Sequence, residues 1–411
     1  MSEKRLQRRA AMSPPLYGVL FLPSGMCQGF ITVALGYVLA RQGVSVGVIA
    51  GLVGLRLLPE TWSFLAGPLI DSCLTSVLWY VLSILALACC SVGFAFLPLQ
   101  DSALMATLCL ASGITAVLSN SAAVAALALT TLDAVRGACA GWRQTGFLGG
   151  IGVGGGGALW LVTHAGGLRV ASLVLAVLYL LCIWPLLIVR VPPAPRSATV
   201  RGAARDAIGA LWRLLRSRPG ILAVIVVTLP AGAGAAANLL PAVSGDWHAS
   251  ADMVASLTGV LAGIASIPGC ITSGYLCDRF PRRTVYMWCA LLAAVVEGIL
   301  ALAPRTPVSF AALALVNSAL TGLAYSSVVA VIYDRLDLVG AATVGGVLGS
   351  LSNVPVVLVT MIIGAVQARF GSVAMLLAEA GLGIASVASY ALLVLAWRPP
   401  AAAPVPQPAT S

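Results

Sequence analysis

The sequence predicts an all-α polytopic membrane protein of twelve transmembrane helices, arranged as two sets of six. Three observations predict it. Of the 411 residues, 60% are hydrophobic and only 9% charged, where soluble domains run near a quarter charged, and the mean hydropathy is +1.02. Apolar runs of about eighteen residues or more, each long enough to cross a bilayer core, follow one another along nearly the whole chain. Near the middle they are interrupted by a Pro- and Arg-rich stretch, RVPPAPRSATVRGAARDAIGALWRLLRSRP at 190–219.

Taken in order, the first span is 16–40. The basic flank MSEKRLQRR precedes it, but the apolar run is too long for a signal-peptide core, so this helix is expected to be retained. The second span, 44–66, is apolar yet contains Arg56 and Glu60. Spans at 77–99, 102–131, 137–163 and 167–189 complete the first set. Within the fifth, GGIGVGGGGALW (149–160) lacks the Lys-Ser/Thr of a phosphate loop. Glycines at 146, 150 and 154 are read instead as a surface for close helix contact. The polar stretch then supplies one amphipathic helix, around 202–217, at the inner membrane surface. The second set spans 220–241, 250–274, 284–303, 307–333, 339–366 and 372–396. The domain reading is therefore 1–189, a linker at 190–219, and 220–411.

Charge gives the orientation. With the N-terminus inside, seventeen Lys and Arg residues fall on the cytoplasmic side. They are Lys4, Arg5, Arg8, Arg9, Arg136, Arg190, Arg196, Arg201, Arg205, Arg213, Arg216, Arg218, Arg279, Arg282, Arg283, Arg335 and Arg398. Only four, Arg41, Arg169, Arg305 and Arg369, fall outside. Such a bias places both termini in the cytoplasm. It also explains the net charge of +10 as topology, so no nucleic-acid partner is expected. The preference for Arg over Lys, with abundant Ala and Gly, is the composition of a GC-rich bacterial genome, and the bacterial inner membrane is the expected location. Ten cysteines, mostly within spans and without a C-x-x-C pair, read as small apolar fillers. The two histidines, His164 and His248, lie on the outer side, and neither a metal nor a cofactor is expected.

The two sets echo each other. Leu22-Pro23-Ser24-Gly25 recurs as Leu229-Pro230-Ala231-Gly232, and Gly67-x-x-x-Asp71 recurs as Gly274-x-x-x-Asp278, each pair 207 residues apart. Parallel repeats about a cytoplasmic linker are the build of a transporter that rocks between two openings.

The residues Gly274-x-x-x-Asp278-Arg279-x-Pro281-Arg282-Arg283 resemble the loop signature G-x-x-x-D-R-x-G-R-R of the major facilitator superfamily, with Pro281 in place of Gly. The resemblance implies the major facilitator fold, and a cytoplasmic gate formed by Gly67, Asp71, Gly274, Asp278, Arg279 and Arg283. Pro59-x-x-x-Ser63-Phe64-x-x-x-Pro68-x-x-Asp71 is similar to the second-helix motif of the peptide–acetyl-coenzyme A–drug branch, which includes the AmpG-type muropeptide permeases. Two departures stand against muropeptide as cargo. Ser63 occupies the branch's lysine position, and the fourth span has Ser119-Asn120-Ser121 and no acid. In the fifth span, Gly141, Gly150 and Gly154 match the start of the superfamily's antiporter motif, but Gly155 replaces its proline.

Arg56 and Glu60 stand four apart on one helix face and can pair. A lone charge at that depth costs about 2.5–3.5 kcal/mol or more, so such residues face a polar interior and mark substrate or proton paths. Glu60 is assigned to proton coupling, with Arg56 moderating it; the alternative is a pair that only neutralises itself and pins packing. Arg143, entering the fifth span from the inside, either contacts an anionic group or snorkels. Gln28, Asn120, Asn238, Asn317 and Tyr325 lie in the spans that line the pathway in the superfamily. Glu297 and Glu379 fall in spans that are peripheral there and read as scaffold.

The expected function is a secondary active transporter moving a small or medium polar organic solute by alternating access. Its partners are that solute, protons and membrane lipids, and it is expected to be a monomer. Proton-coupled import is the leading reading, and proton-driven export the alternative. An enzyme is not expected, for want of a nucleophile, metal or carboxylate cluster. A transporter-like sensor would need a signalling domain that neither tail is long enough to hold.

Overall fold

A computed structural model of the chain describes residues 12–44, 46–72, 74–98, 101–189, 191–192, 200–232, 234–336 and 341–396. Lys4, Arg5, Arg8, Arg9, Arg190, Arg196 and Arg398, used above for orientation, lie outside the described residues. All regular structure among the described residues is helical. In chain order the helices are α1 (Pro14–Arg41), α2 (Val46–Thr61), α3 (Ala66–Ser72), α4 (Ser76–Phe96), α5 (Ser102–Thr130), α6 (Asp133–His164) and α7 (Gly167–Ile188). Then come α8 (Val200–Arg216), α9 (Arg218–Thr228), α10 (Ala236–Val243), α11 (Ala251–Thr258), α12 (Val260–Arg279), α13 (Arg282–Ala301), α14 (Pro307–Tyr333) and α15 (Ala341–Ala396). Nine of these, α1, α4, α5, α6, α7 and α12 to α15, are long and apolar enough to cross a membrane.

Nine is fewer than the twelve expected, and the differences have local causes. The second expected span is divided: α2 ends at Thr61, Trp62 leaves helical geometry (φ −122°, ψ 23°), and α3 resumes at Ala66. The seventh is divided between α9 and α10 by Leu229-Pro230-Ala231-Gly232, where Pro230 offers no N–H and Gly232 and Gly234 both take φ 61°. The eighth is divided at Gly259 (φ −95°, ψ −105°). The last two run together as α15, whose 56 residues are bent at Gly371 (φ 83°, ψ 179°).

Helix starts follow local chemistry. Thr75, Asp101 and Thr306 accept hydrogen bonds from Leu78, Leu104 and Ser309 N–H respectively, capping α4, α5 and α14. α1 begins on Pro14 and Pro15, which lack donors that the first turn could not satisfy.

The tightest packing joins α1 to α6. A Cβ on Gly150 would come within 2.5 Å of the Leu22 carbonyl, and one on Gly154 within 2.5 Å of Met26 Cα, so the two backbones touch as the glycine spacing predicts. Each helix also holds a π-helical turn, Phe30–Leu35 in α1 and Val153–Gly157 in α6, and these turns pack on each other. The amphipathic helix expected near 202–217 is α8. It lies against α3 and α9 and turns Ile208, Trp212 and Leu215 outward, as a helix at a lipid surface would.

Candidate functional site

Between the elements before α8 and those after it lies a central cavity of about 310 Å³. α1 contributes Ser24 and Gln28, α2 Glu60, and α5 Asn120 and Ser121; α6 contributes Arg143 and Gln144, α14 Tyr325, and α15 Ser352 and Asn353. Of the eight pathway residues expected from sequence, Glu60, Arg143, Gln28, Asn120 and Tyr325 meet here. Arg56 is fully buried behind the wall, Asn317 lines a separate, smaller cavity, and the Asn238 side chain lies outside the described residues. Sequence reading missed Gln144, Ser352 and Asn353; a polar residue at a phase facing the cavity was the available signal.

Arg56 and Glu60 form the expected pair one helical turn apart, Nη1 donating to Oε1. The Arg56 side chain is 0% exposed and that of Glu60 35%. Arg56 also donates through Nη2 to the Ser24 carbonyl at 3.1 Å. The guanidinium is thus held from two sides, while the carboxylate reaches the cavity. α2 meets α5 closely here, a Cβ on Gly113 abutting the Arg56 backbone.

Arg143 is differently placed. No carboxylate pairs with it among the described residues, and its Nε has no hydrogen-bond partner. Its guanidinium carbon stands 4.9 Å from the Phe21 ring centroid and 5.8 Å from that of Tyr333. These rings hold the cation without neutralising it. Gln28 Oε1 and Asn120 Oδ1 are likewise buried without partners. With Arg56 and Glu60 cancelling, the cavity carries one uncompensated positive charge and several free polar atoms.

The arginine-rich end of the bundle is held by two clasps. Asp278 accepts from the backbone N–H of Gly137 at 2.6 Å and of Ala138 at 2.8 Å, at the start of α6. Asp71 accepts from Thr343 N at 3.3 Å and Thr343 Oγ1 at 3.1 Å, near the start of α15. A carboxylate at a helix start also meets the positive end of the helix dipole. The glycines of the two motifs allow the approach: a Cβ on Gly67 would meet Thr343 N at 2.5 Å, and one on Gly274 the Gly137 carbonyl at 2.8 Å. Ser63, at the lysine position of the branch motif, faces Ser350 with the hydroxyls 3.2 Å apart.

Arg279 is exposed and Arg283 partly so, and neither makes an ion pair among the described residues. Arg282 does, donating to Asp334 at 2.7 Å and to the Asp133 carbonyl at 3.0 Å. Of the three arginines, Arg282 is the one that reaches a carboxylate, and the motif alone does not show it.

Replacing Asp71 and Asp278 together by Asn keeps their shape but removes charge-assisted bonds worth about 1.5–3 kcal/mol each. The expected outcome is at least a roughly tenfold shift toward a form open at this end. Spin labels at Ala134 and Phe280 would report longer distances, and an unchanged distribution would show that the clasps do not hold the end closed.

Comparison with known proteins gives three findings. Residues 222–411 match the family model described as Major Facilitator Superfamily. No curated protein matches the sequence. The fold is similar to the crystal structure of the human organic anion transporter MFSD10 (TETRAN), with TM-score 0.69 and 15% identity over 93% of this chain and 99% of that one. Identity that low speaks for the fold alone. The C-terminal portion of the chain is thus similar to the major facilitator superfamily, and the fold of nearly its whole length is that of the solved transporter.

Proposed function

We propose that the chain imports a small or medium organic anion together with protons, by alternating access about the central cavity. The single observation that carries the choice of cargo is Arg143, a cation on the cavity wall with no carboxylate partner among the described residues. A cavity with one unpaired cation and free amide groups is complementary to a carboxylate or phosphate on a polar body. This cargo is argued from Arg143; the likeness to an organic anion transporter adds only that such a fold accommodates one.

In this reading Glu60 carries the coupling proton. Protonation releases Arg56 from its partner, and the change in the α1–α2 contact is transmitted through the Arg56–Ser24 bond. Inward direction follows the resemblance of residues 59–71 to a branch that includes permeases, and the bacterial inner membrane follows composition. The two-part build, 1–189 and 220–411 joined by 190–219, the twelve crossings with both termini cytoplasmic, and the monomer belong to the same proposal.

A thermal-shift screen of the purified protein with organic mono- and dianions tests the cargo. Stabilising anions are expected, and Arg143→Gln should weaken them by about tenfold to a hundredfold, the value of one charged hydrogen-bonding group. Stabilisation by neutral solutes alone, or anion affinity unchanged in the variant, would overturn the assignment.

A further inference from the structure

Glu297 on α13 and Glu379 on α15 meet inside the C-terminal portion, away from the central cavity, where both line one small cavity and their carboxyl groups interact. Their residues are 8% and 6% exposed. Both oxygens of Glu379 are occupied as acceptors: its Oε1 and Oε2 accept from the backbone N–H of Ala235 and Ala236, each at 2.6 Å. With both Glu379 oxygens accepting, it is Glu297 that is free to bring a proton to the contact, and two charges in contact here would repel without screening.

The free atoms around the pair point the same way. Glu297 Oε1 and Asn317 Nδ2 have no hydrogen-bond partner, and Asn317, 8% exposed, lines the same small cavity as both acids. At about 20 Å³ it has room for one water. No Lys, Arg or His lines it, so no cation there offsets a second negative charge.

A route connects this cavity to the central one. Gly232 walls both the acid cavity and a neighbouring one of about 20 Å³. Tyr325, Ser352 and Val356 wall that second space and the central cavity alike. The titratable side chains along the way are Tyr325, close enough to feel the charge of Glu379, and Tyr286, which donates to the Ala231 carbonyl. Both ends of the route border the broken segment 229–235. Glu379 holds the two amides where α10 begins, and Tyr286 holds a carbonyl inside the break.

We propose that Glu297 and Glu379 form a proton-binding site, distinct from Glu60, that exchanges its proton with the central cavity past Tyr325 and sets the bend between α9 and α10. Loss of the proton breaks the O–H bond of Glu297 and leaves two carboxylates in contact, the proton passing to water on the cavity side. Their repulsion pushes Glu379 off the two amides and frees the bend to change. The physiological use of this site rests on the transporter reading above, but its existence does not depend on Glu60 or on the cargo.

Infrared spectroscopy of the purified full chain in lipid nanodiscs tests it, the probe being the proton itself. A protonated-carboxyl band is expected at neutral pH, in the unmodified protein and in Glu60→Gln alike. Glu297→Gln should abolish it, since the amide then donates to an ionised Glu379. This variant holds no backbone group and so carries the test even if Glu379→Gln fails to fold. The band should fade as pH rises while the protein stays folded, and Tyr325→Phe should slow its hydrogen–deuterium exchange several-fold. Absence of the band, its survival in Glu297→Gln, its indifference to pH, its loss on adding sodium at fixed pH, or unaltered exchange in Tyr325→Phe would each overturn the proposal. Failure of the Glu60 reading would appear elsewhere, as proton-driven transport that persists in Glu60→Gln.

Discussion

Glu60→Ala is expected to destabilise the protein by about 3 kcal/mol or more, because it strands a fully buried guanidinium with a single backbone acceptor. Glu60→Gln should be milder, since its amide oxygen still accepts from Arg56. Both should abolish accumulation of the anion driven by a pH gradient, while leaving exchange at equal pH. The informative variant is the double replacement Arg56→Met with Glu60→Gln. Exchanging a buried ion pair for apolar volume is often neutral or better for stability, so the double variant should recover most of the thermal stability that Glu60→Ala loses. It should remain uncoupled. Recovery of stability together with recovery of proton-driven uptake would show that the pair only fills space and neutralises itself. Measured against both single variants, the cycle separates the two roles.

Gly154→Leu is the second large effect. The added side chain would start from a Cβ already within 2.5 Å of Met26 Cα, where backbone and not a flexible tip is in the way. Overpacking a core usually costs about 1–3 kcal/mol, and more where backbone must move. The contact here is one of three in register, with Gly146 facing Gly18 and Gly150 facing Leu22, so α1 and α6 must separate along several turns. Loss of the monodisperse species in size-exclusion chromatography is expected. Gly157→Leu is the control, having nothing within 4 Å of an added Cβ; equal thermal stability in the two variants would refute close packing as the reason for the glycines.

Much of the helical layout could be read from the chain, and the reasons differ by element. The fourth and tenth spans, expected at 102–131 and 307–333, are Ser102–Thr130 and Pro307–Tyr333, because Asp101 and Thr306 mark their starts chemically as well as by hydropathy. The breaks after Thr61, at 229–235 and at Gly259 were hidden, since the residues that make them are themselves apolar and a hydropathy window passes over them. Pro230 within L-P-A-G-A-G was the available sign, as a proline biases the residue before it away from the helix.

The site was half legible. Residues that carry charge in an apolar run, Arg56 and Glu60, announce themselves by cost alone. Glu297 and Glu379 carry the same cost, but their meaning depends on meeting each other, and they stand in different spans with no shared motif. Asn317 looked like Asn120, a lone amide in a pathway span, yet its helix face turns it toward the acids and away from the central cavity.

The two aspartate clasps have one more consequence. Asp278 grips the start of α6 and Asp71 grips the start of α15. Shifted by the repeat distance of 207 residues, each contact falls within two residues of the other. That reciprocity is the rule of an isologous dimer, in which patch i meets j and j meets i. The interface is thus a two-fold dimer contact sewn into a single chain. In the proposed two-part build, the joining segment 190–219 contributes effective concentration, while the geometry of this end is written in the clasps themselves.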